Sequence, residues 1–143
     1  MAKINLGRVV GGGLLAGLVM NIVDAVANGA WLGAQWLAEG NQLNAALMAT
    51  PGLTTTSMTG WVLVDFLLGI LTIWLYAAIR PRFGPGAKTA LVAGLAVWFA
   101  THLFFASYAF NGLYSWELVC SSSFGALIGG LAGALAGGWL YKE

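Results

Sequence analysis

The sequence predicts an all-α integral membrane protein, a four-helix bundle with both termini in the cytoplasm. The 143-residue chain is 59% hydrophobic and only 8% charged, whereas soluble domains are about 25% charged. Its apolar residues fall in four runs, each long enough for the roughly 20 residues of a spanning helix. All six basic residues lie on one side of these runs, which the positive-inside rule assigns to the cytoplasm.

This composition excludes several other classes of protein. A soluble enzyme of this size would need far more polar surface. A net charge of +1 leaves no basic patch for nucleic acid, and a single cysteine, Cys120, cannot form an internal disulfide. The apolar runs are too long for barrel strands and lack in/out alternation. One transmembrane domain over 1–143 is therefore expected, with the lipid bilayer as its surroundings.

The predicted spans follow one another along the chain with short polar connections. They cover about residues 9–37, 58–79, 89–110 and 116–140. Pro51-Gly52 and the Pro/Gly-rich residues 81–86 mark turns between them, and residues 41–49 are compatible with a short interfacial helix. The first run is longer than a bilayer requires, which leaves open whether it tilts, breaks near 29–33 or projects outward.

Each predicted span carries one ionisable side chain, and such groups are functional-site hypotheses because they are costly in lipid. In chain order they are Asp24, Asp65, His102 and Glu117. Counted at about 1.5 Å per residue from the basic residues that bound their spans, the first three reach a similar depth in the outer half of the bilayer. Glu117 lies nearer the outer interface, and Ser121 returns towards the shared depth.

Polar residues of the first span extend this candidate site. Asn21, Asp24, Asn28, Trp31 and Gln35 are spaced by three and four residues, which predicts one helix face. Polar faces in lipid turn inward, so we expect a polar pocket in the outer half of the bundle. Its predicted ligand- or ion-binding residues are Asp24, Asp65, His102, Asn21, Asn28, Glu117 and Ser121.

A purely structural interpretation stays open for each of these residues. Asp65 and His102 could pair only to hold two helices together, and Asp24 with its neighbouring asparagines could form a hydrogen-bond network that meets no ligand. Glu117 also suits the N-terminus of a helix at the membrane surface.

The sequence does not favour an enzyme. Carboxylates and histidine can bind zinc, but no Glu-x-x-His pair or HExxH run sets two ligands at helical spacing. A single histidine cannot supply two axial haem ligands, and there is no G-x-S-x-G elbow. The identity of any metal or cofactor is left open.

The fourth predicted span carries a repeated small-residue pattern. Gly125, Gly129, Gly133 and Gly137 recur every four residues, which is an extended small-xxx-small surface. Two interpretations stay open, namely packing within the bundle, or a face that docks a second copy or another membrane subunit.

Two stretches, GGLLAGLVMNIVDAVANG at 12–29 and YAAIRPRFGPGAKTA at 76–90, resemble those of small four-span bacterial membrane proteins of unknown function. The likeness runs along most of the chain. It implies a four-span topology and the bacterial inner membrane, but no activity, cofactor or site residue.

Two functions fit these observations. In the first, the protein is a small transporter or channel in which Asp24, Asp65 and His102 bind a proton, a cation or a small polar ligand. In the second, it is a non-catalytic accessory subunit of a larger membrane complex, and its polar residues only hold helices together.

Overall fold

The computed structural model describes residues 4–46 and 55–141, and it confirms the predicted all-α architecture. Its elements in chain order are α1 (Leu6–Asp24), a π-helical segment (Ala25–Trp31), α2 (Gly33–Ala46), α3 (Thr55–Phe83), α4 (Ala87–Phe110) and α5 (Trp116–Leu140). Four stretches are long and apolar enough to cross a membrane: Leu6–Trp31, Met58–Phe83, Ala87–Phe110 and Trp116–Leu140. The chain is therefore a multi-pass membrane protein.

The first predicted span is too long, and the structure shows where it ends. The π-helical segment ends at Trp31. The N–H of the next residue, Leu32, donates to the carbonyl of Ala27 at 2.9 Å, which lies five residues earlier, as in a π-helix. A separate helix, α2, then begins at Gly33. It starts eight residues before the short helix predicted for 41–49 and runs to Ala46; residues 47–49 and the turn predicted at 51–52 lie outside the described residues.

The other three spans agree with the prediction at their membrane-embedded parts. α5 has the predicted bounds, and α4 begins two residues earlier than expected. α3 continues past residue 79 to Phe83 and carries Pro81 in its last turn. Gly84, at φ 82°, ends it by donating its N–H to the carbonyl of Arg80 at 2.8 Å, as expected for a glycine in left-handed conformation.

Around the bundle, the four spans follow one another in the order α1, α3, α4, α5. α1 packs chiefly against α3 and α5, and α4 packs against α5 and α3. Because the spans alternate in direction, the start of α1, the end of α3 and the start of α4 lie at one end of the bundle. This basic end carries the described basic residues, Arg8, Arg80, Arg82 and Lys88.

The half of the bundle at the basic end is a closed apolar core. Ile73, Tyr76 and Tyr141 are at most 2% exposed, and the two tyrosine rings meet edge to face at 5.8 Å. The Tyr76 hydroxyl accepts from the N–H of Gly86 at 3.2 Å, which ties α3 to the start of α4. The remaining members of this core are Val9, Ala16, Ala77, Ala90 and Ala93.

The opposite half is more open. Residues 58–64 of α3 are exposed in every position, and seven consecutive helical residues face all sides of the helix. No described element therefore surrounds these two turns, and the polar residues of the bundle lie next to this less enclosed region.

Glycines let α1 approach two neighbours closely. A Cβ placed at Gly17 would lie 2.6 Å from the Cα of Phe66 on α3, and one at Gly69 would overlap the carbonyl oxygen of Gly13. On the other side, a Cβ at Gly133 of α5 would lie 2.7 Å from the carbonyl oxygen of Ala16. Helix backbones can meet at such separations only where side chains are absent.

The predicted glycine face of α5 lies against α1 within the chain. Cβ atoms at Gly125 and Gly129 would meet Ala27 at 2.6 Å and Val23 at 3.2 Å, and one at Gly137 would overlap the carbonyl of Gly12. Docking of a second copy or another subunit through this face stays a prediction.

Candidate intramembrane acidic site

The close crossing of α1 and α3 brings two predicted site residues together. Asp24 is the last residue of α1, and Asp65 lies on α3 one turn from the glycine contact at Gly69. The Asp65 carboxylate is within electrostatic range of the Asp24 carboxylate. Asp65 is only 7% exposed, and Asp24 is half-buried.

The pair has no described cationic partner. Among the described residues, no lysine, arginine or histidine contributes to the electrostatics of either carboxylate. Two neighbouring carboxylates in a poorly solvated site repel each other, and burial of an unpaired charge is costly. A proton or a cation between them removes that repulsion, so the geometry suits a positively charged ligand.

Asn21 fixes the relative position of the two helices beside this pair. Its side-chain amide donates to the carbonyl of Gly17 on its own helix at 2.9 Å and to that of Val62 on α3 at 3.3 Å. Asn21 and Val62 each precede one of the two aspartates by three residues, so the bridge lies about one turn from both. Asn21 thereby joins α1 to α3 close to the acidic pair.

Asn28 does not belong to this site, and the prediction of one continuous polar face is wrong beyond Asp24. The Asn28 side-chain oxygen accepts from the Ser122 hydroxyl of α5 at 2.8 Å and from the Trp36 indole N–H at 3.1 Å. Trp31, expected on the same face, is 60% exposed. The wider turns of the π-helical segment shift residues 25–31 out of the 3.6-residue phase on which the prediction depended.

His102 is held by residues of its own helix. Its Nδ1 lies 3.0 Å from the carbonyl of Trp98 and 3.1 Å from the Thr101 hydroxyl oxygen. Since a carbonyl only accepts, Nδ1 carries the proton in the first contact. The imidazole stacks on the Trp98 ring at 5.3 Å and meets the edge of Phe105 at 5.9 Å.

The predicted convergence of three ionisable groups therefore reduces to two. In the described part of the chain, no hydrogen bond or ion pair joins His102 to either aspartate. The Asp65–His102 pair considered as structural glue is not formed. A role for His102 in binding a ligand of its own stays a prediction.

The α5 residues of the prediction lie apart from the acidic pair. Glu117 is exposed in the first turn of α5, next to the helix-capping residue Ser115. Ser121 is half-buried, while its neighbour Ser122 is the serine that bonds Asn28. The sequence offered three consecutive serines, and the shift in phase at the π-helical segment concealed which of them faces the first span.

Sequence reasoning missed Glu39, which ties α2 to the loop between α4 and α5. Its carboxylate accepts from the Ser115 N–H at 2.7 Å, from the Ser115 hydroxyl at 2.6 Å and from the Gln35 amide at 3.0 Å. Burial acts to raise the pKa of Glu39, but these hydrogen bonds outweigh it and hold the pKa below its usual value. A contact across 76 residues has no local signal in the sequence.

Trp36 provides the apolar part of the same attachment. Its ring meets Tyr114 edge to face at 5.0 Å and lies 6.3 Å from Phe105, while its N–H reaches Asn28. α2 is thus held against the end of the bundle that is opposite the basic end.

The donor set is small. Within residues 4–46 and 55–141, no group of three or more histidine, cysteine, aspartate or glutamate side chains is placed to hold a metal ion. The acidic site consists of two carboxylates with an amide bridge beside them, which suits a proton or a cation bound by few protein ligands.

No protein-family model matches the chain, and no curated protein or solved structure is significantly similar to it. The resemblance to small four-span bacterial proteins thus stays a prediction.

Proposed function

We propose that the protein is a small transporter or channel for protons or small cations, and that Asp24 and Asp65 form its binding site. The observation that carries the proposal is the pairing of two carboxylates from adjacent spans, one of them 7% exposed, with no basic group of the described residues beside them. Carboxylate oxygens are hard ligands that accept protons or hard cations and repel anions.

The cost of the arrangement supports a functional role. Insertion of an aspartate at the centre of a spanning helix costs about 2.5–3.5 kcal/mol. Helix contacts alone do not need that cost, because asparagine, serine and threonine form interhelical hydrogen bonds without a charge. Asn21 and Ser122 already do so here.

Topology supports a site reached from outside the cell. By the positive-inside rule the basic end faces the cytoplasm, and the resemblance of the chain to bacterial four-span proteins favours the inner membrane. Asp65 precedes Arg80 by 15 residues, or about 22 Å of helix, so the acidic pair belongs to the outer half. The less enclosed turns at 58–64 lie on that side, and the apolar core lies on the cytoplasmic side.

Flux through purified protein in liposomes tests the proposal. Proton entry is followed with an enclosed pH-sensitive dye and sodium entry with a radioactive tracer, for wild type, Asp24→Asn and Asp65→Asn. We expect both variants to lose the flux and to stay folded. Glu117→Gln is the matched control, because it removes an exposed carboxylate away from the pair, and its flux should equal that of wild type. Unchanged flux in both aspartate variants would contradict the proposal.

An accessory subunit is the second candidate, and the bridge from Asn21 to Val62 favours it, since this bond only joins two helices. On that account, liposomes with wild-type protein show no more flux than liposomes without protein, and Asp24→Asn and Asp65→Asn do not change this. The same variants would instead alter the amount of an unrelated subunit that remains bound, in stoichiometric ratio, after gentle extraction from the source membrane.

A further inference from the structure

Thr72 on α3 is a buried polar residue whose hydroxyl is left without a partner. Thr72 is 0% exposed, and within the described ranges its Oγ1 has no hydrogen-bond partner. A buried, unsatisfied hydroxyl costs about 1–3 kcal/mol. Such a group points to a water or an ion that the hydroxyl binds.

Other threonines in the bundle show the usual solution. The hydroxyl of Thr101 lies 3.0 Å from the carbonyls of Val97 and Trp98 on its own helix, and that of Thr89 donates to the carbonyl of Gly84 at 2.7 Å. A helical threonine ordinarily makes such a bond to the preceding turn. Thr72, which is 0% exposed, departs from this pattern.

The position of Thr72 relates it to the acidic pair. Thr72 follows Asp65 by seven residues and precedes Tyr76 by four, so all three lie on one face of α3. At about 1.5 Å per residue, the steps along the helix are about 10 Å and 6 Å. All three residues are at most 7% exposed, and the Tyr76 hydroxyl ends the series at Gly86 beside the basic end.

We infer that Thr72 is a second binding station for the proton or cation held by Asp24 and Asp65, on the path from that pair to the basic end. The inference rests on the proposed function and deepens it. Thr72 lies between the acidic site and the closed apolar core. On this face of α3, the buried polar atoms beyond Asp65 are the hydroxyls of Thr72 and Tyr76.

The Thr72 hydroxyl can bind a cation or assist proton transfer, and it does not itself ionise in either case. A hydroxyl oxygen has two lone pairs and one proton, so it can coordinate a cation directly or hold a water molecule. In proton transfer, the Asp65 carboxyl gives its proton to an adjacent water and becomes a carboxylate, and further waters carry the proton over the roughly 10 Å to the water held by Thr72. The resulting hydronium passes the proton to the next water, and Thr72 is unchanged at the end.

Tyr76 marks where this path is closed. Its ring packs against Tyr141 at 5.8 Å, and its hydroxyl is engaged by the N–H of Gly86. Passage beyond Thr72 therefore requires these contacts to part, and exchange between Asp65 and Thr72 requires the close contact of α1 with Gly69 to loosen. A ligand at Thr72 would be occluded from the basic end in this conformation.

Thr72→Val tests the inference, because valine keeps the shape and removes only the hydroxyl. We expect proton or sodium flux in liposomes to fall about tenfold, as for the loss of one hydrogen bond of about 1.4 kcal/mol. Thr72→Ser restores the hydroxyl and should restore most of the flux. Thr101→Val is the matched control, since its hydroxyl is satisfied by its own helix, and it should leave flux unchanged.

Two further readouts separate the possible failures. Thr72→Val should not lower the melting temperature, because it removes an unsatisfied group, and the infrared carboxyl signal of Asp65 should persist. Flux equal to that of Thr101→Val, with Asp65→Asn inactive, overturns the inference and leaves the proposed function standing. Wild-type flux in Asp65→Asn overturns the proposed function itself. The dye and the tracer show whether the ligand is a proton or sodium.

Discussion

Asp65 has an environment that a carboxylate seldom occupies for structural reasons. Only 7% of its surface is exposed. The charged group that acts on it is another carboxylate, that of Asp24. Close packing of the backbones at Gly13, Gly17 and Gly69 holds the two helices together despite this repulsion. The site therefore depends on residues without side chains as much as on the two aspartates.

Single glycines provide a prediction at this scale. A Cβ at Gly133 would lie 2.7 Å from the Ala16 carbonyl oxygen, whereas one at Gly130 would have nothing within 4 Å. Gly133→Ala should lower the free energy of unfolding in detergent by about 1–3 kcal/mol, as other overpacked sites do. Gly130→Ala is the matched control on the same helix and should be neutral or stabilising by up to about 1 kcal/mol. Equal effects of the two variants would contradict the packing of α5 on α1.

The depth of each candidate residue in the membrane could be predicted from its position in the sequence. The distances of Asp24 and Asp65 from the basic residues depend only on helical rise, and the two carboxylates lie within electrostatic range of each other. Lateral position could not be predicted, because it depends on which helices are neighbours. His102 has the matching depth but lies on α4, which packs chiefly against α5 and α3.

At the scale of elements, the first span shows where periodicity stops being informative. Up to Asp24 the chain keeps α-helical phase, Asn21 bonds to α3, and Asp24 lies within electrostatic range of Asp65 on α3. The π-helical segment, Ala25–Trp31, then turns Asn28 towards α5. A pattern of three- and four-residue spacings cannot reveal this change, because the hydrogen bonds that define the segment are invisible in the residue types. α5 has no such segment, and its bounds were predicted correctly.

The attachment of α2 gives a prediction of pH dependence. The pKa of Glu39 is lowered in the folded protein by hydrogen bonds from Ser115 and Gln35. A lowered pKa means that its contribution to stability is fully present above the ordinary value and is lost as the pH falls through the lower one. Hydrogen exchange of the α2 amides, corrected for intrinsic rates, should therefore accelerate on acidification below about pH 4.5.

Two variants isolate the role of Glu39 in that response. Glu39→Gln should remove most of the pH dependence, since the amide does not titrate in this range. Glu117→Gln, which removes an exposed carboxylate near the same loop, should keep it. Loss of the response in Glu117→Gln, or its persistence in Glu39→Gln, would assign the titration to another group.

The whole molecule has two unlike halves. Around the basic end, Ile73, Tyr76 and Tyr141 close an apolar core, while at the other end residues 58–64 of α3 are exposed. The acidic pair lies between these halves. On the proposed function, a ligand would reach the pair from the less enclosed half, and the apolar core would separate it from the basic end.

Orientation in the membrane is a prediction for the whole molecule. Cysteines are introduced one at a time in a Cys120→Ser background, because Cys120 is exposed. Leu113→Cys, in the loop between α4 and α5, should react with a membrane-impermeant maleimide on intact cells. Lys88→Cys, at the basic end, should react only after the membrane is permeabilised. The reverse pattern would invert the topology and place the acidic pair nearer the cytoplasm.

The most direct measurement for the central claim is infrared spectroscopy of the purified protein in lipid, which observes the carboxyl groups themselves. If Asp24 and Asp65 together hold a proton or a cation, wild type should show a carboxyl band that changes with pH or with added sodium. That change should be absent from Asp65→Asn and retained in Glu117→Gln. A spectrum in which Asp65→Asn removes no pH- or sodium-sensitive band would contradict the claim that the pair binds either ligand.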